Sequence, residues 1–279
     1  MNSIPVYNNK WKWIMLGSVF SFLYLPIVIL IIYSFNESRL VTVWSGFSTK
    51  WYSELFQDDL LINGLKISLT VGVLAASAAV VLGTISAFIL KRFGKFRGET
   101  SFAFMITAPL VMPDVITGLS LLLLFISLGQ FIDLFAQRGM LTIWIAHVTF
   151  CTAYVTVVIS SRLQELDRSV EEAAMDLGAP PWKVFFQITL PMILPSLVAG
   201  WLLAFTLSLD DLVISSFVSG PSSTTLPIVV FSSVRLGISP KINALATLMV
   251  LIVSCASFIG WWLMAKAEKK RRMEINATS

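Results

Sequence analysis

Six stretches of apolar residues, near 13–33, 65–90, 102–128, 141–161, 194–217 and 242–264, constrain this chain more than anything else in it. Each run of roughly 20 residues is long enough to cross about 30 Å of hydrocarbon as a helix. That layer offers no water to backbone amides, so each run must satisfy its hydrogen bonds internally, which a helix does. The expectation is an all-α integral membrane protein with six transmembrane helices, forming one transmembrane domain over residues 1–279. Only 13% of residues are charged, against about a quarter in soluble domains.

Lysine and arginine near span ends favour the cytoplasmic side. Lys10 and Lys12 precede the first span, Lys91, Arg92, Lys95 and Arg97 join the second and third, and Lys266, Lys269, Lys270, Arg271 and Arg272 follow the sixth. Both termini are therefore expected in the cytoplasm. The connection over about 162–191 is inside by parity rather than by charge, because its carboxylates outnumber Arg162, Arg168 and Lys183. No small-residue cleavage site ends the first span, where Tyr33-Ser34-Phe35-Asn36 stands, so it reads as a retained anchor.

Several chemistries are absent from the sequence. The only Gly-Lys pair, Gly94-Lys95, has Ile89 five residues before Gly94, so there is no Walker A loop. The single histidine, His147, excludes a zinc site needing two histidine ligands; it reads as a satisfied intramembrane polar residue, with substrate or proton handling as the alternative. Cys151 and Cys255 fall within spans four and six as small apolar side chains, with no disulfide expected. No nucleophile, base and orienting group stand together, so no catalytic or metal site is expected. The net charge of +4 is explained by inside-facing basic residues, not by nucleic acid.

Outside the spans, two connections carry helical signals. Ser48-Thr49 precedes Lys50 to Phe56, a capped amphipathic turn or two suited to the membrane interface. Thr224-Thr225-Leu226-Pro227 leads into 228–236 and a stop at Gly237. Both face outward, either as a platform for a soluble partner or as seals on the bundle.

The cytoplasmic connection is a polar helical hairpin. Ser169 followed by Glu172 forms a capping box, Val170, Ala173, Ala174 and Leu177 recur at helical spacing, and Gly178 supplies a left-handed stop. A helix of about two turns is too short to be stable alone. Ala173 and Ala174 leave a shallow face that another backbone can approach, with Glu171 and Asp176 beside it. Pro180-Pro181 then starts a second helix whose Trp182, Phe185, Phe186 and Ile188 lie back on the bundle and which ends before Leu190-Pro191.

Glu-Ala-Ala, three residues, Gly, nine residues, then Ile-x-Leu-Pro runs from Glu172 to Pro191, and this pattern resembles the signature of permease subunits of ABC importers. Segments 113–118, 147–151 and 208–221 are similar to polyamine permeases, and 36–44 with 115–124 are most similar to the putrescine permeases that pair with a second, different permease. The resemblance implies a type I ABC importer permease fold in a bacterial inner membrane. Glu172, Ala173, Ala174, Asp176 and Gly178 would belong to a coupling helix that fits a cytoplasmic ABC ATPase dimer. It further implies a second permease subunit, a periplasmic polyamine-binding protein, surrounding membrane lipid, and ATP with magnesium on the ATPase rather than on this chain. Spermidine or a small anion is the runner-up substrate; a secondary transporter or channel and a membrane assembly factor are the other classes.

An aspartate at the centre of a membrane helix costs roughly 2.5 to 3.5 kcal/mol, so Asp114 requires a reason. On straight helices Asp114 and Asp210 would lie roughly 20 and 24 Å beyond the inner ends of spans three and five, at 1.5 Å per residue. Together with Asp211, and with Trp201 and Phe205 on one stripe of span five, they are candidates for the path of an organic cation. Asp114 has an equal structural reading as a cap where Pro109 and Pro113 interrupt the span. Asp210 and Asp211 point about 100° apart on a helix. They can share a site only where the helix breaks; otherwise one serves the pore and the other a cap or contact.

Overall fold

The computed structural model describes residues 9–40, 43–236 and 239–255, with Phe258, Trp262 and Lys266. The long elements over them are helices, and no strand is present among the described residues, only one isolated bridge between Asn36 and Phe47. In chain order they are α1 (Asn9–Ser34), α2 (Lys50–Phe56), α3 (Asp59–Arg92), α4 (Glu99–Val111), α5 (Asp114–Gly129), α6 (Met140–Glu165), α7 (Ser169–Asp176), α8 (Pro181–Val184), α9 (Leu190–Asp210), α10 (Val213–Val218), α11 (Leu226–Leu236) and α12 (Pro240–Cys255).

Four unbroken helical segments are long and apolar enough to cross a membrane: Trp11–Ser34, Asp59–Arg92, Met140–Glu165 and Pro181–Asp210. A fifth results if α4 and α5 are taken together. The count of six is therefore not reached among the described residues, because α12 is short and the expected sixth span continues past Cys255, largely outside them.

The third span is not the straight helix expected. α4 and α5 meet at 114°. Met112 between them is extended, with φ −74° and ψ 135°, because the residue before a proline is driven out of the helical region by the ring of Pro113. The straight-helix depth reckoned for Asp114 therefore does not apply. Span five also differs. Its helix starts at Pro181 and runs on to Asp210, so the hairpin's second helix does not end before Pro191. A π-helical stretch, Phe185–Thr189, sits between α8 and α9. It lies where Pro191 would otherwise clash with the carbonyl four residues earlier, and the widened turn absorbs that conflict.

The described residues form two compact units, one of Leu60–Phe231, the other of those up to Asp59 and from Ser232 onward. In the second of these, α2 is docked on its own unit: Trp51 and Leu55 are buried, and the Trp51 indole donates to the Asn36 carbonyl at 2.6 Å. Thr49 makes no cap; the amide of Lys50 bonds to Ser48 Oγ. Asp58 and Lys241 pair at 3.0 Å.

In the larger unit, α3, α6 and α9 meet along small residues. A Cβ on Gly83 would fall 2.7 Å from Val155 Cγ1, so these two backbones approach as closely as glycine allows, a common device where helices pack inside membranes. Ile143, Ala146, Cys151, Ile159, Leu163, Ile193 and Ala204 complete the buried core. α11 is capped from outside its own sequence: the Leu226 amide bonds to Ser68 Oγ on α3 at 2.8 Å, and Thr225 Oγ1 takes no part.

Candidate functional site

Two places gather the residues singled out by sequence. The first is the hairpin. α7 ends in a Schellman motif: Gly178 sits at φ +87°, its amide bonds to Met175 O at 2.9 Å, and the Ala179 amide bonds to Ala174 O at 3.1 Å. Only glycine takes that φ without strain, so the stop read from sequence is the stop observed.

The start differs from the capping box. Ser169 is the first helical residue rather than the cap, and its amide is taken by Asp167 Oδ1 at 2.9 Å. The Asp167 carboxyl is held below its ordinary range by that backbone bond. Glu172 reaches back to no backbone amide; it is exposed and makes no hydrogen bond or ion pair with a described residue. A neighbour that sequence reading placed beside the docking face does the fixing instead. Glu171 Oε2 pairs with Arg92 Nε of α3 at 2.9 Å, and Glu171 Oε1 accepts from Thr189 Oγ1 at 2.9 Å, with only 8% and 13% of the Arg92 and Glu171 side chains exposed. Arg168 also donates to the Lys91 carbonyl.

α7 thus has two faces. One is fastened to the end of α3 and to the start of span five, the other presents Glu172, Ala173, Asp176 and Leu177 to the outside, with Ala174 half-buried between them. A cavity of about 350 Å³ lies beside the helix, lined by Phe88, Arg92, Glu171, Glu172 and Phe185 among others. Of the aromatics expected to lie back on the bundle, Phe185 packs on Phe88 at 5.0 Å, whereas Trp182 and Phe186 are exposed.

The second place is the end of α9. The helix stops at Asp210, Asp211 is extended, and α10 begins two residues later. Asp211 is the cap of the new helix: its oxygens accept from the amides of Ile214 at 3.2 Å and Ser215 at 2.7 Å. The same carboxylate lies 3.3 Å from His147 Nε2 and is only 8% exposed. Asp211 is therefore withdrawn from the exposed path candidates, while Asp210 remains exposed. Sequence reading had left open which of the two would serve as cap.

His147 is fully buried, as a satisfied intramembrane residue should be. Its Nδ1 is 2.6 Å from Ser208 Oγ and its Nε2 is 3.0 Å from Ser215 Oγ. Neither serine was separated from its motif by the sequence, since two hydroxyls seven residues apart converge on one ring only because the helix between them breaks. Asp114 opens α5 at the bend, exposed, and no described residue donates to its carboxylate. Trp201 and Phe205 do share a stripe, stacked at 5.3 Å and 4°, but the Trp201 indole donates to Ser77 Oγ of α3 and Phe205 packs where Gly72 leaves room. Their half-buried rings are engaged in helix packing.

No group of three or more metal-ligating side chains occurs among the described residues.

The fold is similar to a solved bacterial ABC transporter involved in import of the acidic polysaccharide alginate, at a TM-score of 0.73 and 15% identity over 92% of this chain and 99% of that one. It is also similar to an amino acid ABC transporter, at 0.55 and 19% over 76% and 96%. In sequence it is 66% identical to the putrescine transport system permease protein PotI of Escherichia coli K12, over 99% of this chain and 98% of that protein. It is 42% identical to the spermidine/putrescine transport system permease protein PotC of the same organism, over 91% and 93%. These relatives are transport permeases, not enzymes. The family model described as "binding-protein-dependent transport system inner membrane component" matches residues 79–273. The chain belongs to that family.

Proposed function

We propose that this chain is a permease subunit of an ATP-driven, binding-protein-dependent importer, and that with a second permease it forms the pore for putrescine uptake across the inner membrane. The observation that carries the substrate is the 66% identity to a putrescine permease along nearly the whole length. The observation that carries the ATP dependence is the hairpin, whose outer face of Glu172, Ala173 and Asp176 is exposed while its inner face is fastened to α3 and span five. A short helix so anchored moves as a unit with the helices that hold it.

In this reading ATP and magnesium reside on a cytoplasmic ABC ATPase dimer that receives α7, a periplasmic polyamine-binding protein delivers the substrate, and both termini of this chain are cytoplasmic. Asp114 and Asp210 lower the barrier for a dication in transit, while tight capture belongs to the binding protein. The test is uptake of labelled putrescine into proteoliposomes holding the full complex. Uptake that needs internal ATP and loaded binding protein, and that putrescine competes for better than spermidine, is expected. Uptake driven by an ion gradient without the ATPase would overturn it, and better competition by spermidine would overturn the substrate. Ala173→Trp should reduce ATP-driven uptake by at least about tenfold, because bulk on the exposed face obstructs the partner without disturbing the anchor.

A further inference from the structure

The break between α9 and α10 is held from outside by α6. His147 reaches both sides of it, Ser208 before and Ser215 with Asp211 after. A carboxylate accepts but does not donate, so the pairing with Asp211 calls for a proton on Nε2, while Nδ1 shares a hydrogen bond with the Ser208 hydroxyl, which can donate or accept. Two further contacts fix the far end of α10 to the same region: Thr142 Oγ1 donates to the Val218 carbonyl at 2.7 Å and Arg138 Nη1 to the Phe217 carbonyl at 3.1 Å. Cys151 Sγ, one turn from His147, contacts the Ala204 carbonyl of α9.

α6 runs directly into the hairpin, and α9 emerges from it. The two helices that would carry a movement of α7 are thus joined again at their other ends, through this ring.

We propose that His147 is a positioning residue for transport, clamping the break so that α6, α9 and α10 move together, and that Asp211 acts through this clamp rather than by touching the cation. Broken membrane helices need their freed backbone groups satisfied by neighbours, and here Asp211 supplies the acceptor while His147 holds Asp211 in place.

The experiment uses the full complex in lipid nanodiscs, with Cys151 and Cys255 replaced by serine and spin labels at the exposed positions Thr206 and Ser216, either side of the break. A narrow distance distribution is expected, broadened by His147→Ala and by Ser208→Ala, and narrowed again in His147→Gln, which keeps a donor and an acceptor. In proteoliposomes, ATP hydrolysed per putrescine moved should rise about tenfold in His147→Ala, and Asp211→Asn added to it should change little more, as expected of residues acting as one unit. A folding defect alone would lower both rates and leave their ratio unmoved. Should His147→Ala fail to reach the membrane, Ser208→Ala and Ser215→Ala decide the matter, each removing one hydroxyl. Unchanged distributions, or additive losses with a raised KM in Asp211→Asn, would overturn the clamp. The transport readout rests on the importer reading. Unaltered complex that showed no ATP-driven uptake would sink that reading, and the spin-label comparison would still decide the clamp.

Discussion

The hairpin and the break in span five are built in opposite ways. α7 makes its ends from its own sequence, with Gly178 at one end and Asp167 at the other, and leaves one face open. α10 closes its start with Asp211 but depends on His147 and Thr142 of α6 and on Arg138 just before that helix, and it packs so tightly on α5 that a Cβ at Gly118 would lie 2.6 Å from Phe217 Cδ2. A segment that closes its ends locally keeps a free face. One that holds a distortion inside the bundle borrows its order from other helices.

Adjacent glutamates on α7 give the largest test of this contrast. Glu171→Ala leaves Arg92 buried without its partner and should cost about 3–5 kcal/mol, the range for breaking a buried pair from one side. Glu172→Ala should leave the melting temperature of the purified complex unchanged. Equal losses at both positions would mean that α7 has no distinct anchored face.

Volume is the next discriminator. Gly118→Ala should destabilise by about 1–3 kcal/mol through overpacking against α10, read as thermal unfolding in detergent, whereas Ala173→Val on the open face should shift it by less than about 0.5 kcal/mol. The stop of α7 should behave differently again. Nothing lies within 4 Å of a Cβ on Gly178, so Gly178→Ala carries only the left-handed backbone penalty of about 1–2 kcal/mol. Gly178→Asn should recover part of it, measured as hydrogen exchange of the Ala179 amide.

The smallest effect is the cap. The Asp167 carboxyl is depressed in the fold, so its bond to Ser169 is fully present above the ordinary carboxylate value of 3.8 and is lost as pH falls through its lower folded value. Faster exchange of the Ser169 amide in Asp167→Asn at neutral pH than in the unaltered chain is expected. Exchange equal in both would remove Asp167 from the cap.

Much of the hairpin was legible because its signals are local. Gly178 marks its own φ, and the Glu172-to-Pro191 spacing is read along a single strand of text. The start was misplaced by one residue: Ser169 is the first helical residue, Arg168 stands at the cap position, and Asp167 before it accepts the Ser169 amide, a choice that only the backbone path makes. Glu171 was read only as a flank of the alanine face because its partners, Arg92 and Thr189, lie far from it in sequence. The bend at Met112-Pro113 was visible as prolines but not as an angle, which depends on what α5 packs against.

Apolar runs, the absence of water around a spanning backbone, and the glycine and proline punctuation determined from sequence alone that this is a helical membrane protein with a polar hairpin between its apolar runs. Tertiary structure alone decided which aspartate stays exposed and which is enclosed. Asp210 and Asp211 are identical in chemistry and adjacent in the chain, and their difference arises from a helix end and from a histidine that α6 brings to one of them.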